Sequence, residues 1–481
     1  MDESRVVMFV SHLSLNLDRG KNKISPWMVE NALDDISFKL HEGEALGIFG
    51  ETGSGKTLLL DTLLYTQKPT KGDVFLNVSD ELRVEIEEIN RRVSKIKADL
   101  REKYGFNEEE EEIEGNDELD LLEERYEVIC RENSLSRMGK KELNKMRGYI
   151  QPVFQEIFKA LDPAKTIRDS IGDPMKLVLH LSDEELNYKI LFHISEVGLK
   201  EDILGKYPTE LSVSQLQKVN LVRTFSVNPK IIILDDPMAY LDATSRAKVL
   251  NLLRKKQNEE KTSLIILSNN LEVLRSFTQN VAVIHRGKIV EHGSTDEIFS
   301  NAMHPYTKIM VSSIPNPDPF VIRQKIQLKG QRTYYEHLPT GCSFHTRCPN
   351  VMKNCGWSTA DLIDSLRDML EISRLHDPDS LPEIENIGVD EAENIMEISF
   401  REGETYDQNL VKSRIEEIIR ENSERERVPR FQSIEFIEFD SESNNLIIQI
   451  MKPKKPTPIE ISGKHTVSCF MYASGENEDE P

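Results

Sequence analysis

The chain has 481 residues, 38% of them apolar and 30% charged, which is enough for two or three domains with separate cores. Its net charge of −22 argues against a general DNA or RNA binder, because neutralising phosphates needs a basic surface, so no nucleic-acid partner is expected. No apolar run approaches the ~18–20 residues that cross a bilayer, and the acidic start Met1-Asp2-Glu3-Ser4-Arg5 lacks the apolar stretch of a signal peptide. The expectation is a cytoplasmic chain whose membrane role, if it has one, passes through a partner that spans the bilayer. Five cysteines in that setting suggest thiols or metal ligands before disulfides.

Residues 5–80 read as short strands, a loop and a helix: Ala45, Leu46, Gly47, Ile48 and Phe49 form a buried-strand pattern, and residues 58–65 continue as an apolar helix. Residues 80–139 differ in character. Leu82, Ile86, Ile89, Val93, Ile96 and Leu100 recur every three or four positions, and after an acidic loop Leu119, Leu122, Tyr126 and Ile129 do the same. That is the seam of an inserted antiparallel helical hairpin, either lying on the domain surface or reaching out to dock a partner. Residues 141–325 return to apolar strands at 231–234, 264–267 and 281–285 that alternate with helices, which favours a largely parallel sheet. Residues 326–358 are loop-rich and carry three cysteines. Residues 359–455 read as an inserted α/β module, with strands at 395–400 and 446–451 and a helix marked by Val411, Ile415, Ile418 and Ile419. Residues 472–481 read as a disordered acidic tail.

The run Gly50-Glu51-Thr52-Gly53-Ser54-Gly55-Lys56-Thr57 carries the G-x-x-x-x-G-K-[ST] pattern between a strand and a helix. Glycines let backbone N–H groups close around phosphates at a helix N-terminus. Lys56 is placed to reach the terminal phosphates of ATP and the Thr57 hydroxyl to ligate Mg²⁺. Downstream, an apolar strand ends in Asp235 and Asp236. Asp235 suits the Mg²⁺ shell and Asp236 the polarisation of an attacking water.

With these motifs in order, the chain resembles the ATPase subunit of an ABC transporter over nearly all of residues 5–325, apart from the hairpin. Phe154-Gln155 resembles the Q-loop, which implies that Gln155 joins the catalytic residues and the Mg²⁺ ligands and that its region contacts the membrane partner. Residues 207–215, with Ser212, Val213, Ser214 and Gln215, stand at the signature motif, so Ser212 and Gln215 are implied in nucleotide binding. Ala239-Tyr240-Leu241-Asp242 resembles the D-loop, and Asn269 stands at the switch-histidine position. His304-Pro305-Tyr306-Thr307, followed by Gly341-Cys342-Ser343-Phe344-His345-Thr346-Arg347-Cys348-Pro349, is similar to the C-terminal region of oligopeptide/dipeptide importer ATPases, with nickel importers as relatives.

The resemblance implies an α/β P-loop domain over 1–325 and a Cys-rich C-terminal region over 326–358 and 456–471. It also implies two transmembrane permease subunits, a second and different ABC ATPase subunit, an extracellular substrate-binding protein acting indirectly, and a position on the inner face of the cell membrane. Several positions depart from the family pattern. Asp236 replaces the catalytic Glu and is one methylene shorter; Asn269 replaces a titratable His; Val213 and Ser214 replace two glycines; and Leu17 replaces the aromatic that stacks on adenine. The expectation is ATP binding with weak hydrolysis, in a subunit that drives peptide import or, alternatively, acts as a nucleotide-gated regulatory subunit.

Cys342, Cys348, Cys355 and Cys469 could together hold Zn²⁺ or an iron–sulfur cluster, and in the resembling subunits this pattern is associated with a [4Fe–4S] cluster. The interval from Cys355 to Cys469 is longer than the family's because the 359–455 module intervenes.

Overall fold

The computed structural model describes residues 5–18, 29–104, 116–314, 341–377, 381–391, 393–401, 406–426, 429–440, 443 and 445–473. The chain divides into two compact units, Met1–Phe299 and Ser300–Pro481.

In the first unit, strands β1 (Val6–Asp18), β2 (Val29–His41) and β4 (Lys71–Leu76) form an antiparallel sheet in the order β2-β1-β4. A second sheet contains β3 (Ala45–Phe49), β5 (Ile150–Val153), β6 (Ile231–Asp235), β7 (Ser263–Ser268), β8 (Asn280–His285) and β9 (Lys288–Ser294). These six run in the order β9-β8-β3-β7-β6-β5, parallel except for the antiparallel pair β8/β9. Every residue of β3, β6 and β7 is buried, as expected of parallel strands covered on both faces. One core joins the two sheets, with Leu13, Leu33 and Ile36 packed together with Ile48, Leu59 and Ile233. Burying each such side chain contributes roughly 1.5–3 kcal/mol.

The strands read as short in the sequence are in fact the longest of the unit, 13 residues each for β1 and β2. Their alternation is broken by register shifts between Val10, Leu13 and Leu15, near His12 and Asp35, whose φ values are 49° and 57°. A bulge inverts the facing of every later side chain, so a simple two-residue period does not survive along such a strand.

The hairpin seam is formed by the helices Asp80–Tyr104 and Asp117–Asn133. It does not stand clear of the domain. Ile86, Ile89 and Ile129 are buried in one cluster with Val6, Phe9 and Phe75 of β1 and β4. Buried Asp73 anchors the second arm by accepting hydrogen bonds from the hydroxyls of Ser134 and Ser136 and, at 3.2 Å, from the Cys130 thiol. Burial, followed by the Asp73 carboxylate, pushes the Cys130 thiol upward, so it stays protonated.

The second unit contains a four-stranded antiparallel sheet of β10 (Ile384–Asp390), β11 (Ile395–Phe400), β12 (Ile434–Phe439) and β13 (Leu446–Ile450), in the order β10-β11-β13-β12. The helices Thr359–His376 and Gln408–Glu426 pack with it around a common core. Val411, Ile415, Ile418 and Ile419 are buried there, as their spacing predicts. A short antiparallel pair, β14 (Ile459–Ser462) and β15 (His465–Val467), follows. The acidic tail expected at 472–481 lies, from residue 474 on, outside the described residues. Among the described residues no helix is long and apolar enough to cross a membrane.

Candidate nucleotide-binding site

The carboxyl ends of β3, β5, β6 and β7 carry the residues singled out above, at the edge where open α/β sheets hold their ligands. After β3 the chain turns through residues 50–55 into the helix Lys56–Leu63. Gly55 starts that helix at φ 103°, a left-handed conformation that side-chain-bearing residues resist. Gly50 lies so close to its neighbours that a Cβ there would sit 2.3 Å from Ser54 Oγ and 2.7 Å from the Ile284 carbonyl. The loop is thus held in a narrow cradle.

Lys56 is buried, and its ammonium donates to the carbonyls of Gly50 at 2.7 Å and Glu51 at 3.0 Å. Burial lowers its pKa, and the carboxylates of Asp236, Asp235 and Glu51 oppose that shift without cancelling it. The Thr57 hydroxyl donates to Asp235 Oδ2 at 3.1 Å. Asp235 is buried at the end of β6, and burial pushes its carboxyl up to about 6; the Thr57 hydrogen bond works against this and neighbouring Asp236 adds to it. The Ser54 hydroxyl is buried with no hydrogen-bond partner.

This arrangement fits a nucleoside triphosphate with its divalent cation. The orphaned Ser54 hydroxyl and the Lys56 ammonium would meet phosphate oxygens, and Thr57 with Asp235 supplies the hard oxygen donors that Mg²⁺ prefers.

Asp236, half-buried, follows with φ 43°. Its Oδ1 accepts a 2.8 Å hydrogen bond from Ser268 Oγ and a 3.3 Å one from the Asn269 N–H. The Ser268 hydroxyl in turn accepts from the Asn270 N–H at 3.1 Å. Sequence reading passed over Ser268. Its signal was its place at the end of β7, in register beside β6, where Asp235 pairs with Leu267.

The other expected site residues are placed differently. Gln155 is exposed in the loop after β5 and is not drawn into the Thr57–Asp235 contact. Ser212 and Gln215 form a capping box on the helix Val213–Phe225: Ser212 Oγ accepts from the Gln215 N–H at 3.3 Å, and Gln215 Oε1 accepts from the Ser212 N–H at 2.9 Å. Their side chains bond to each other's backbone rather than to the phosphate loop. Val213, 40% exposed, and Ser214 occupy the first turn of that helix. Asn269 is exposed, and the neighbouring Asn270 caps the helix Leu271–Phe277. Leu17 packs half-buried against the core of the first unit.

In the second unit Cys342, Cys348, Cys355 and Cys469 are all buried, and none forms a disulfide. Burial pushes the Cys355 thiol up to about 12, with smaller upward contributions from Cys348 and Cys469, which are therefore its neighbours in space. The Cys342 N–H donates to the Cys355 carbonyl at 3.0 Å. Among the described residues no group of three or more His, Cys, Asp or Glu side chains is arranged to hold a metal ion, and this applies alike to Zn²⁺ and to an iron–sulfur cluster.

A complete phosphate loop at the carboxyl edge of a parallel sheet, with Thr57 bonded to the Asp that ends β6, defines a P-loop nucleotide-binding protein. The family profile described as "ABC transporter" matches residues 33–136 and 119–239, and that described as "Oligopeptide/dipeptide transporter, C-terminal region" matches residues 290–355. The oligopeptide transport ATP-binding protein AppF of Bacillus subtilis is 31% identical over 326 residues, covering 67% of this chain and 83% of that protein. The dipeptide transport ATP-binding protein DppF of Haemophilus influenzae is 30% identical over 324 residues, covering 67% and 83%. The oligopeptide transport ATP-binding protein OppF of Salmonella typhimurium is 29% identical over 374 residues, covering 76% and 96%. The chain belongs to the ABC transporter ATP-binding proteins of the oligopeptide/dipeptide transporter family.

Proposed function

We propose that this chain is the ATP-binding subunit of a peptide importer, that it works beside a second, different ATPase subunit, and that it binds ATP firmly but hydrolyses it slowly. The observation that carries this reading is the contrast within one site: residues 50–57 are complete and cradle-shaped, while Asp236 is short and already hydrogen-bonded to Ser268 and Asn269. Lys56, Ser54 and the loop N–H groups hold the phosphates, and Thr57 and Asp235 hold Mg²⁺. When bound, Mg²⁺ supplies positive charge that stabilises the phosphoryl oxygens. Asp236 orients the attacking water from one methylene further away than a Glu would. Asn269 offers hydrogen bonds in place of a titratable ring, and Val213 and Ser214 crowd the backbone that faces a partner's phosphate.

The relatives' names speak of oligopeptide and dipeptide transport, and on that ground the partners are two transmembrane permeases and a second ATPase subunit on the inner face of the membrane, with an external binding protein delivering peptide. Affinity purification of the tagged chain tests this: recovery of two permeases and a second ATPase is expected. Recovery of soluble partners alone would instead favour the nucleotide-gated regulatory subunit, which the engaged Asp236 also suits.

For the four cysteines, the reading is a [4Fe–4S] cluster. Its support is the return of Cys469 to Cys355 and Cys348 across the intervening module. Anaerobically purified protein is expected to be brown and to absorb broadly near ~400 nm; colourless, iron-free protein would leave four buried thiols.

A further inference from the structure

The second unit contains a repeat that the sequence scarcely announces. Each strand pair of its four-stranded sheet is a hairpin preceded by a helix: Thr359–His376 before β10 and β11, and Gln408–Glu426 before β12 and β13. The two hairpins share one register, fifty positions apart. Ile384 pairs with Phe400 and Ile434 with Ile450; Ile387 with Ile398 and Ile437 with Ile448; Val389 with Met396 and Phe439 with Leu446. Both carry their irregularity at the same place, between Ile384 and Asn386 in one and between Ile434 and Phe436 in the other.

The local chemistry repeats as well. Asp390 Oδ1 accepts from the Glu393 N–H at 3.2 Å, and Asp440 Oδ2 accepts from the Ser443 N–H at 2.8 Å, three residues on in both turns. Ser358 caps the first helix and Asp407 the second, forty-nine positions later. At that same spacing the buried helix residues correspond: Leu362 with Val411, Leu366 with Ile415, Met369 with Ile418 and Leu370 with Ile419. In sequence, Ile384, Glu385, Ile387, Asp390, Asn394 and Ile398 find the same residue type fifty positions later.

The pairing between the halves obeys the same symmetry. β11 and β13 are antiparallel, and Glu397 lies opposite Ile447, its own counterpart fifty residues on. A two-fold axis therefore passes through that pair. Exchanging the halves maps Ile395–Gln449 onto Ser399–Asn445.

We propose that residues 358–451 are a tandem duplication of one helix–hairpin unit, joined edge to edge through β11 and β13 as an intramolecular dimer. What repeats is the scaffold. Helix-facing positions are apolar in both copies, whereas on the other face Asn386, Gly388 and Glu397 correspond to Phe436, Glu438 and Ile447. A partner lying on that face would meet an asymmetric surface, so the duplication serves the fold while the face has diverged between the copies.

The test uses the full chain. In one variant residues 384–400 are replaced by the sequence of 434–450; in a control they are replaced by that of 435–451, a one-residue slip that turns the apolar face outward. Hydrogen-exchange protection across the module should stay within about two-fold of wild type in the first and fall by at least about tenfold in the second. Equal loss in both would overturn the proposal. A second measurement does not depend on tolerance of a graft. Ile395→Cys with Gln449→Cys and Ser399→Cys with Asn445→Cys are symmetry mates, so both pairs should cross-link with equal efficiency under mild oxidation. Cross-linking of the first pair alone would break the symmetry and with it the proposal.

Discussion

The two sides of the nucleotide site differ in what they keep. On the β3 side, residues 50–57 retain each group that phosphate and Mg²⁺ binding asks for, in a cradle too tight for a side chain at Gly50. On the side formed by the ends of β6 and β7, Asp236 is already tied to Ser268 and Asn269. Binding and hydrolysis draw on different atoms, so one can weaken while the other is retained.

The largest expected break in that comparison is on the binding side. Lys56→Ala removes the buried ammonium beside Asp235, Asp236 and Glu51. ATP affinity, read by titration calorimetry, should fall by about 100-fold or more, which corresponds to ~2.7 kcal/mol. An unchanged affinity would remove Lys56 from the phosphates.

Asp235 gives a smaller effect with a definite pH signature. Its carboxyl is raised to about 6 in the folded chain, above the ~3.9 of an unfolded one. Below pH ~4 the group is protonated in both states, and its relative stabilisation is fully present. As pH rises to about 6 the unfolded chain ionises first and stability is lost. Asp235→Asn should therefore stabilise the nucleotide-free protein at pH 7.5 by roughly 2 kcal/mol or less, read as a higher melting temperature, and have no such effect near pH 4. The same variant should weaken Mg²⁺-dependent ATP binding, which separates its two roles.

The smallest effect concerns Ser268. Ser268→Ala deletes one of two donors to Asp236 Oδ1, an interaction of about 0.5–1.5 kcal/mol. Hydrolysis should change by about two- to ten-fold with ATP affinity unaltered; altered affinity would place Ser268 on the binding side.

Much of the binding side was legible in the sequence because its chemistry is local. Eight consecutive residues specify the loop, and the apolar run before Asp235 specifies the strand that presents it. The hairpin helices and the helix of Val411, Ile415, Ile418 and Ile419 were also legible, because one buried face leaves a spacing of three or four. Features built from distant parts were not. Ser268 gains its role only when β7 lies beside β6. Cys469 becomes a neighbour of Cys355 only when the module between them folds back. The length of β1 and β2 was hidden by bulges that break the alternation. The repeat in the second unit was hidden because its few identities, Ile384, Glu385, Ile387, Asp390, Asn394 and Ile398 with their counterparts, are scattered among diverged residues, so it emerges from register rather than from composition.

The most direct test of the central claim is single-turnover ATP hydrolysis at this chain's own Asp236, in the assembly with the second ATPase subunit proposed for it. Wild type is predicted to retain bound ATP and to release phosphate at least about 100-fold more slowly than the Asp236→Glu, Asn269→His variant. Equal rates in the two proteins would contradict the account and show that Asp236 and Asn269 suffice as they stand.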